Sequence, residues 1–153
     1  MLSIAIGADD AAIDLKNTLI RHLQQAGFTT TDYSAESALD VGCAYPDIAW
    51  NVANAIREGK HQRGILICGT GIGMAIVANK VPGIRAAQCH DTYSAERARK
   101  SNNAQVMTLG ARVVGPELAR SIVNSWLNSE FEGGGSTEKV EKISYYEHKV
   151  GEK

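Results

Sequence analysis

Apolar residues in this chain fall into short runs and one-sided stripes that alternate along its length. Leu2 to Gly7 is a short apolar run ending in Gly-Ala-Asp-Asp, the pattern of a buried strand that opens into a loop. From Ala11 to Gln25, Ile13, Leu15, Leu19, Ile20 and Leu23 recur near the helical period, and Gly27 follows where a C-terminal cap would stand. Phe28 to Tyr33 predicts a second, weaker strand, and Ser34 to Pro46 a polar loop. Asp47 to Glu58 carries Ile48, Val52, Ala53 and Ile56 on one stripe and predicts a helix. Gly64 to Cys68 is the clearest strand, bounded by glycine on both sides; a glycine-rich turn and a short helix, Met74 to Lys80, follow it.

The series continues with a strand over Ile84 to Cys89, a helix over Thr92 to Lys100 and a strand over Gln105 to Leu109. An amphipathic helix spans Pro116 to Leu127, with proline where a missing N–H costs least. Gly133, Gly134 and Gly135 then break the chain before a last helix, Ser136 to Val150, with Ser136 or Thr137 as its cap. Strand and helix alternate five times with no hairpin signal, which predicts an α/β fold: a five-stranded parallel sheet between two helical layers. There is no internal repeat and no sign of a second domain, so residues 1–153 read as a single unit.

Composition narrows the partners. Of the 153 residues, 44% are apolar and 22% charged, and the formal net charge is -1 with no basic face, which argues against nucleic acid and anionic membranes. The N-terminus meets Asp9 and Asp10 too early for a signal-peptide core, and no apolar run approaches a membrane span, so the cytoplasm is the expected compartment. Cys43, Cys68 and Cys89 form no CxxC pair and no zinc-ligand spacing, so free thiols are expected and no metal site.

Ligands of such sheets bind beyond the carboxyl ends of the strands. Cys68-Gly-Thr-Gly-Ile-Gly73 stands at the end of the most apolar strand and opens a helix. Gly69, Gly71 and Gly73 let the backbone turn several N–H groups inward, and such a nest favours negative charge, including a thiolate at Cys68. The spacing is not the dinucleotide fingerprint, and there is no Walker motif. A bland alternative is a buried strand-end thiol. Thr70 places a hydroxyl beside the thiol or caps the helix. One of Asp9 and Asp10 is expected to cap the first helix and the other to hold a sugar hydroxyl. His90 follows the fourth strand, where an imidazole can exchange protons, and Asp91 is expected to cap the next helix. Arg112, after the fifth strand, can neutralise a phosphate or form a surface pair. His22, His61 and His148 read as solvated.

Taken together, IAIGADD, YPDIA, GILICGTGIGMAIVANKVPGIRA and NNAQV through GARVVGPELA resemble the ribose-5-phosphate isomerase B family, which includes galactose-6-phosphate isomerase subunits. The resemblance runs nearly end to end. It implies a Rossmann-like three-layer sandwich, aldose–ketose isomerisation without metal or cofactor, and a role in carbohydrate metabolism of the pentose-phosphate type. It also implies homodimers or homotetramers with a site shared between subunits, the last helix (about 136–150) packing on a partner. Cys68 would remove the proton next to the carbonyl, and the amides of Gly69 to Gly73, Ile72 included, would hold the enediolate oxygen. Thr70 would assist the thiolate, while Asp9, Tyr45, Asn79 and Asn102 would position the sugar.

Three departures bear on the substrate. The ribose enzymes usually carry a His at the position of Asp10 and a ring-opening His at the position of Ser101. Gly135 and Lys139 stand where late phosphate-binding arginines are expected; Lys139 can substitute in part, without the arginine fork. Ribose 5-phosphate closes a ring through its free O4, whereas erythrose 4-phosphate carries phosphate there and cannot form that furanose. The stretch HDTYSAERARKSNNAQ also resembles the tetrulose-phosphate isomerases of the family. Two substrate pairs follow, D-erythrulose 4-phosphate with D-erythrose 4-phosphate and D-ribulose 5-phosphate with D-ribose 5-phosphate, the second requiring that His90 or another group open the ring. The alternatives are a flavodoxin-like module that binds a phosphorylated ligand without catalysis, and a subunit of a galactose-6-phosphate isomerase.

Overall fold

In the computed structural model, which describes residues 2–34 and 44–151, the strands form one five-stranded sheet. They are β1 (Ser3–Ala8), β2 (Thr29–Asp32), β3 (Arg63–Cys68), β4 (Ala86–Gln88) and β5 (Val106–Gly110). All neighbouring pairs are parallel, in the order β2-β1-β3-β5-β4. The helices are α1 (Ile13–Gln25), α2 (Tyr45–Arg57), α3 (Ile72–Ala78), α4 (Thr92–Lys100), α5 (Pro116–Leu127) and α6 (Gly135–Gly151). The expected α/β sandwich is therefore present. Most of the predicted loop over 34–46, and Cys43 with it, lies outside the described residues.

Strand alternation divides the core in two. Ile4, Ile6, Ile65, Ile67, Met107 and Leu109 join the cluster that contains side chains of α1, α4 and α5. Ala5, Leu66, Cys68 and Val106 point the other way, into the cluster built with α2 and α3. Every residue of β3 is buried, as a central strand covered on both faces requires.

Element boundaries follow local hydrogen bonding. Asp91 caps α4 by accepting from Ser94 N at 2.6 Å, and Pro116 opens α5, both as expected. Helix α2 starts two residues before the expected Asp47, because Asp47 Oδ2 reaches back to accept from Ala44 N at 3.1 Å and Pro46 fits its first turn. Helix α3 starts at Ile72, ahead of the expected Met74, and ends at Ala78. Strand β4 is shorter than the expected Ile84 to Cys89, since Ile84 N is used in a turn to Val81 O at 3.1 Å. Its outer edge is closed by Asn79, whose amide accepts from Ala86 N at 2.8 Å and donates to Ala86 O at 2.9 Å. The last helix starts at Gly135, so Ser136 and Thr137 lie inside it and neither is its cap.

Helix α6 contributes no buried residue. Gly83 N donates to both carboxylate oxygens of Glu147, at 3.1 and 3.0 Å. Between this helix and the β4 edge lies a cavity of about 770 Å³, lined by Ile84, Ala86, Ala87, Ile143, Tyr146 and Val150 among others. Among the described residues no helix is long and apolar enough to cross a membrane.

Candidate active site

Cys68 closes β3, and its Sγ accepts a hydrogen bond from the Gly71 backbone N–H at 3.0 Å. The turn that makes this bond needs Gly71 in the left-handed region, φ 77°, and a Cβ there would sit 2.9 Å from the Leu109 carbonyl carbon. Thr70 Oγ1 accepts from Ile72 N at 3.3 Å, so its hydroxyl serves the start of α3 as well as standing beside the thiol. Cys68 is 6% exposed, just ahead of the turn that opens α3.

Two residues that local patterns did not single out fix this loop from neighbouring strands. Thr108, fully buried in β5, donates from Oγ1 to Gly71 O at 2.7 Å. Gln88, at the end of β4, donates from Nε2 to Thr70 O at 2.7 Å. A hydroxyl in the middle of the apolar strand VMTLG was the available signal for Thr108.

Several expected site residues gather around the loop. Arg112 N donates to Gly69 O at 3.1 Å, and its side chain lies across Gly69, so that a Cβ there would be 3.5 Å from Nη1. Among the described residues no carboxylate pairs with this exposed guanidinium. The Tyr45 ring is packed directly against Gly73. Asp9 N donates to Ile67 O at 3.2 Å and Asp9 Oδ1 accepts from Ala11 N at 3.1 Å, so Asp9 is the capping residue of the pair and Asp10 is the exposed one.

His90 joins the site from its far side. The Gly110 backbone N–H donates to His90 Nε2 at 3.0 Å, which places the ring proton on Nδ1. Nε2 is thus engaged as an acceptor and turned toward the strand end. Cys89 beside it is 1% exposed, and burial, with the Asp91 charge adding, pushes its thiol up to about 12. Of the two described cysteines, Cys68 is the one placed for chemistry.

The remaining expected residues stand apart. Both polar atoms of the Asn79 amide are engaged with Ala86 at the sheet edge. Ser101 Oγ accepts from Arg97 Nε at 2.9 Å and from Nη2 at 2.6 Å, an arrangement that sequence spacing alone left unmarked. Asn102 lines the cavity beneath α6. Arg99 braces the turn that follows, donating from Nη1 to Asn103 Oδ1 at 3.1 Å and to Ala104 O at 2.9 Å. Lys139 is exposed on α6.

The other histidines correct an expectation. His61 is 8% exposed, with Ser3 Oγ 2.5 Å from Nδ1 and Tyr33 Oη 2.9 Å from Nε2. It is a buried bridge between β1 and the end of β2, because Ser3 and Tyr33 meet its two ring nitrogens from elsewhere in the chain. His22 and His148 bond Asn124 Oδ1 at 2.7 Å and Ser144 O at 2.8 Å near the surface. Among the described residues no group of three or more His, Cys, Asp or Glu is placed to hold a metal ion.

A family model described as Ribose/Galactose Isomerase matches residues 4–143. The D-erythrulose-4-phosphate isomerase of Pectobacterium atrosepticum is 72% identical over 97% of this chain and 97% of its own length. The ribose-5-P isomerase B of Listeria innocua is 51% identical over 97% of this chain and 99% of its own. Among solved structures, the ribose-5-phosphate isomerase B of Clostridium thermocellum superposes with a TM-score of 0.91 at 43% identity, covering 97% of this chain and 99% of that one.

Proposed function

The chain belongs to the ribose/galactose isomerase family, and from that premise we propose that it is an aldose–ketose isomerase of small phosphorylated sugars, with D-erythrulose 4-phosphate and D-erythrose 4-phosphate as its substrate pair. The observation that carries the chemistry is the Gly71 N–H held 3.0 Å from Cys68 Sγ. A thiol buried in a strand end needs no such donor, whereas a thiolate acting as base is stabilised by it.

In the ketose-to-aldose direction the Cys68 thiolate removes a proton from C1. The C1–H electron pair forms the C1–C2 double bond, and the carbonyl electrons move onto O2 as an enediolate. The developing anion would meet the N-terminal end of α3 and the Arg112 charge across Gly69, while the Gly71 N–H stays on Cys68 Sγ and the Ile72 N–H on Thr70 Oγ1. A proton passes from O1 to O2, and the Cys68 thiol returns its proton to C2, leaving the C1 aldehyde. Tyr45, beside Gly73, and Asp9 and Asp10, at the end of β1, line the approach for the sugar hydroxyls.

Three observations favour the tetrose over the pentose. The Pectobacterium relative at 72% identity is a D-erythrulose-4-phosphate isomerase. Ser101, with two guanidinium N–H groups on its oxygen, is no acid–base group for ring opening. His90 Nε2 is occupied by Gly110 N, which leaves it poorly suited to the same task. In the shared-site dimer that this reading includes, Asn102, which lines the apolar cavity under α6, would serve the partner's site together with Ser101 and Lys139. A working free thiol is in keeping with the reducing cytoplasm.

The test is kcat/KM for D-erythrulose 4-phosphate against D-ribulose 5-phosphate in wild type and Cys68→Ser. The proposal expects a ratio well above one and a loss of about a thousandfold or more in the variant, with ligand binding retained. An unaffected Cys68→Ser enzyme would remove the assigned base, and a ratio below one would make the pentose the substrate. Light scattering tests the dimer, which a fully active monomer would exclude.

A further inference from the structure

We infer that Gln88 and Thr108 are positioning residues for Cys68, each acting through one peptide unit of the loop between β3 and α3; the inference rests on the reading of Cys68 as the base. The two residues are register partners in the β4–β5 pair. Thr108 is fully buried, and Gln88 stands at the exposed end of its strand. Gln88 Nε2 donates to Thr70 O at 2.7 Å, and Thr108 Oγ1 donates to Gly71 O at 2.7 Å. Consecutive carbonyls of the loop are therefore held from two neighbouring strands.

Each of these carbonyls shares a peptide plane with an amide that the site uses. The Thr70 carbonyl and the Gly71 N–H belong to one peptide unit, and that N–H donates to Cys68 Sγ at 3.0 Å. The Gly71 carbonyl and the Ile72 N–H belong to the next, and that N–H donates to Thr70 Oγ1 at 3.3 Å. In a planar trans peptide the C=O and N–H point in opposite directions, so a donor that fixes the oxygen also aims the N–H. Two chains of hydrogen bonds result. One runs from Gln88 through the Thr70–Gly71 peptide to Cys68, the other from Thr108 through the Gly71–Ile72 peptide to the Thr70 hydroxyl. Bonds linked in this way polarise one another, so a donor on the carbonyl strengthens the bond made by the amide beyond it.

The loop needs these clamps because its own backbone is free to turn. Gly71 has φ 77°, and glycine lets the peptide before it rotate at little cost. Half a turn of the Thr70–Gly71 unit would bring the carbonyl oxygen to Sγ in place of the N–H, and an oxygen there disfavours a thiolate. Gln88 opposes that rotation by holding the oxygen on the other side. Among the described residues, the side-chain hydrogen bonds of Gln88 and Thr108 run to this loop alone. Pairing of β4 with β5 is made by backbone and does not require either side chain.

The experiment follows alkylation of Cys68 by iodoacetamide from about pH 5 to about pH 9, on either side of the ordinary thiol range, beside kcat/KM over the same interval. It compares a Cys43→Ser parent with Gln88→Met, Thr108→Val and Thr108→Ser made in it. Met keeps the length of Gln without its donor, and Val keeps nearly the shape of Thr without the hydroxyl. Arg112, His90, Tyr45, Asp9 and Asp10, the charged and titratable groups around the loop, are the same in all, and melting midpoints check each fold. The proposal expects Gln88→Met to move the acid limb of both profiles up by about half a pH unit, about a threefold loss near neutral pH that is regained at high pH. A loss from distortion alone persists at every pH. Thr108→Val is expected to lower kcat about fivefold with KM little changed, and Thr108→Ser to restore it. Gln88→Met profiles that coincide with those of the parent overturn the proposal. So does a folded Thr108→Val with parental kcat, or a Thr108→Ser no better than Thr108→Val. If Thr108→Val does not fold, Gln88→Met, at an exposed strand end, decides alone. If Cys68→Ser keeps full turnover, the base reading fails, and the alkylation profile still decides whether Gln88 aims the Gly71 N–H at Sγ.

Discussion

Gly110 lies directly beside Cys68 at the ends of neighbouring strands, and a Cβ on Gly110 would fall 2.7 Å from Thr70 Cα and 2.9 Å from Gly69 O. The obstacle is backbone, which cannot swing aside as a side chain can. Gly110→Ala must therefore push the loop that holds the Gly71 N–H against Cys68 Sγ, and shift the Gly110 N–H bonded to His90. Overpacking of this kind costs about 1–3 kcal/mol in stability. Displacing the loop by about an ångström is expected to cost about a hundredfold in kcat. Steady-state kinetics beside a thermal melt check this; a stable Gly110→Ala protein with wild-type kcat would mean that the loop geometry does not govern turnover.

Tyr45 and Gly73 make a second pair that can be tested by a cycle. The Tyr45 ring occupies the space that a side chain at 73 would need. Gly73→Ala should therefore expel the ring and raise KM by about tenfold, if the ring helps enclose the sugar. Tyr45→Ala should raise KM similarly. The two changes share one event, so the double variant is expected to be no worse than either alone. Additive losses in the double variant would show that the two residues act separately.

Local pattern and long-range contact divide what the sequence discloses. Helices α4 and α5 could be bounded correctly because their start signals, Asp91 and Pro116, are written in the chain next to the elements they open. The Cys68 to Gly73 loop was legible for the same reason: alternating glycines after an apolar strand specify a close backbone approach wherever they occur. The ends of β4 were not legible, since Ala86 is closed off by the Asn79 amide and Ile84 is drawn into a turn. Nor were the supports of the loop, because Thr108 and Gln88 reach it across strands. His61 reads as solvated from its place between the predicted helix and strand, while the residues that enclose it, Ser3 and Tyr33, come from β1 and the end of β2.

That buried histidine gives stability a pH dependence of definite sign. Burial, with the Lys60 charge adding, holds the His61 pKa below its ordinary value. The unfolded chain then binds the proton more tightly than the fold does. The contribution of His61 is complete above about pH 6.5 and is lost as pH falls through the lower folded value. Asp32 follows the same sign at lower pH. Burial opposes its ionisation, but hydrogen bonds from Lys16 and Ser34 prevail and hold its pKa below the usual carboxylate value. Its contribution is lost only as pH falls below about 4. Urea unfolding of wild type should weaken from pH 7 to pH 5, whereas His61→Gln, less stable at pH 7, should change much less over that interval. An equal decline in both proteins would assign the dependence to other groups.

The two described thiols should differ sharply toward an alkylating reagent. Cys89 is enclosed, and with its pKa pushed up to about 12 it is almost wholly protonated at pH 8. Cys68 is also buried, at 6% exposure, but it lies at the ligand-facing end of β3 with the Gly71 N–H available to a thiolate. In a Cys43→Ser background, iodoacetamide should inactivate the native enzyme as one label enters Cys68. Inorganic phosphate should slow that reaction by occupying the site, and Cys89 should react only after denaturation. Peptide mapping by mass spectrometry, taken alongside residual activity, separates the outcomes. Inactivation that follows Cys89, or full activity with Cys68 labelled, would contradict the assignment of the base, since alkylation removes the lone pair that takes the proton from C1.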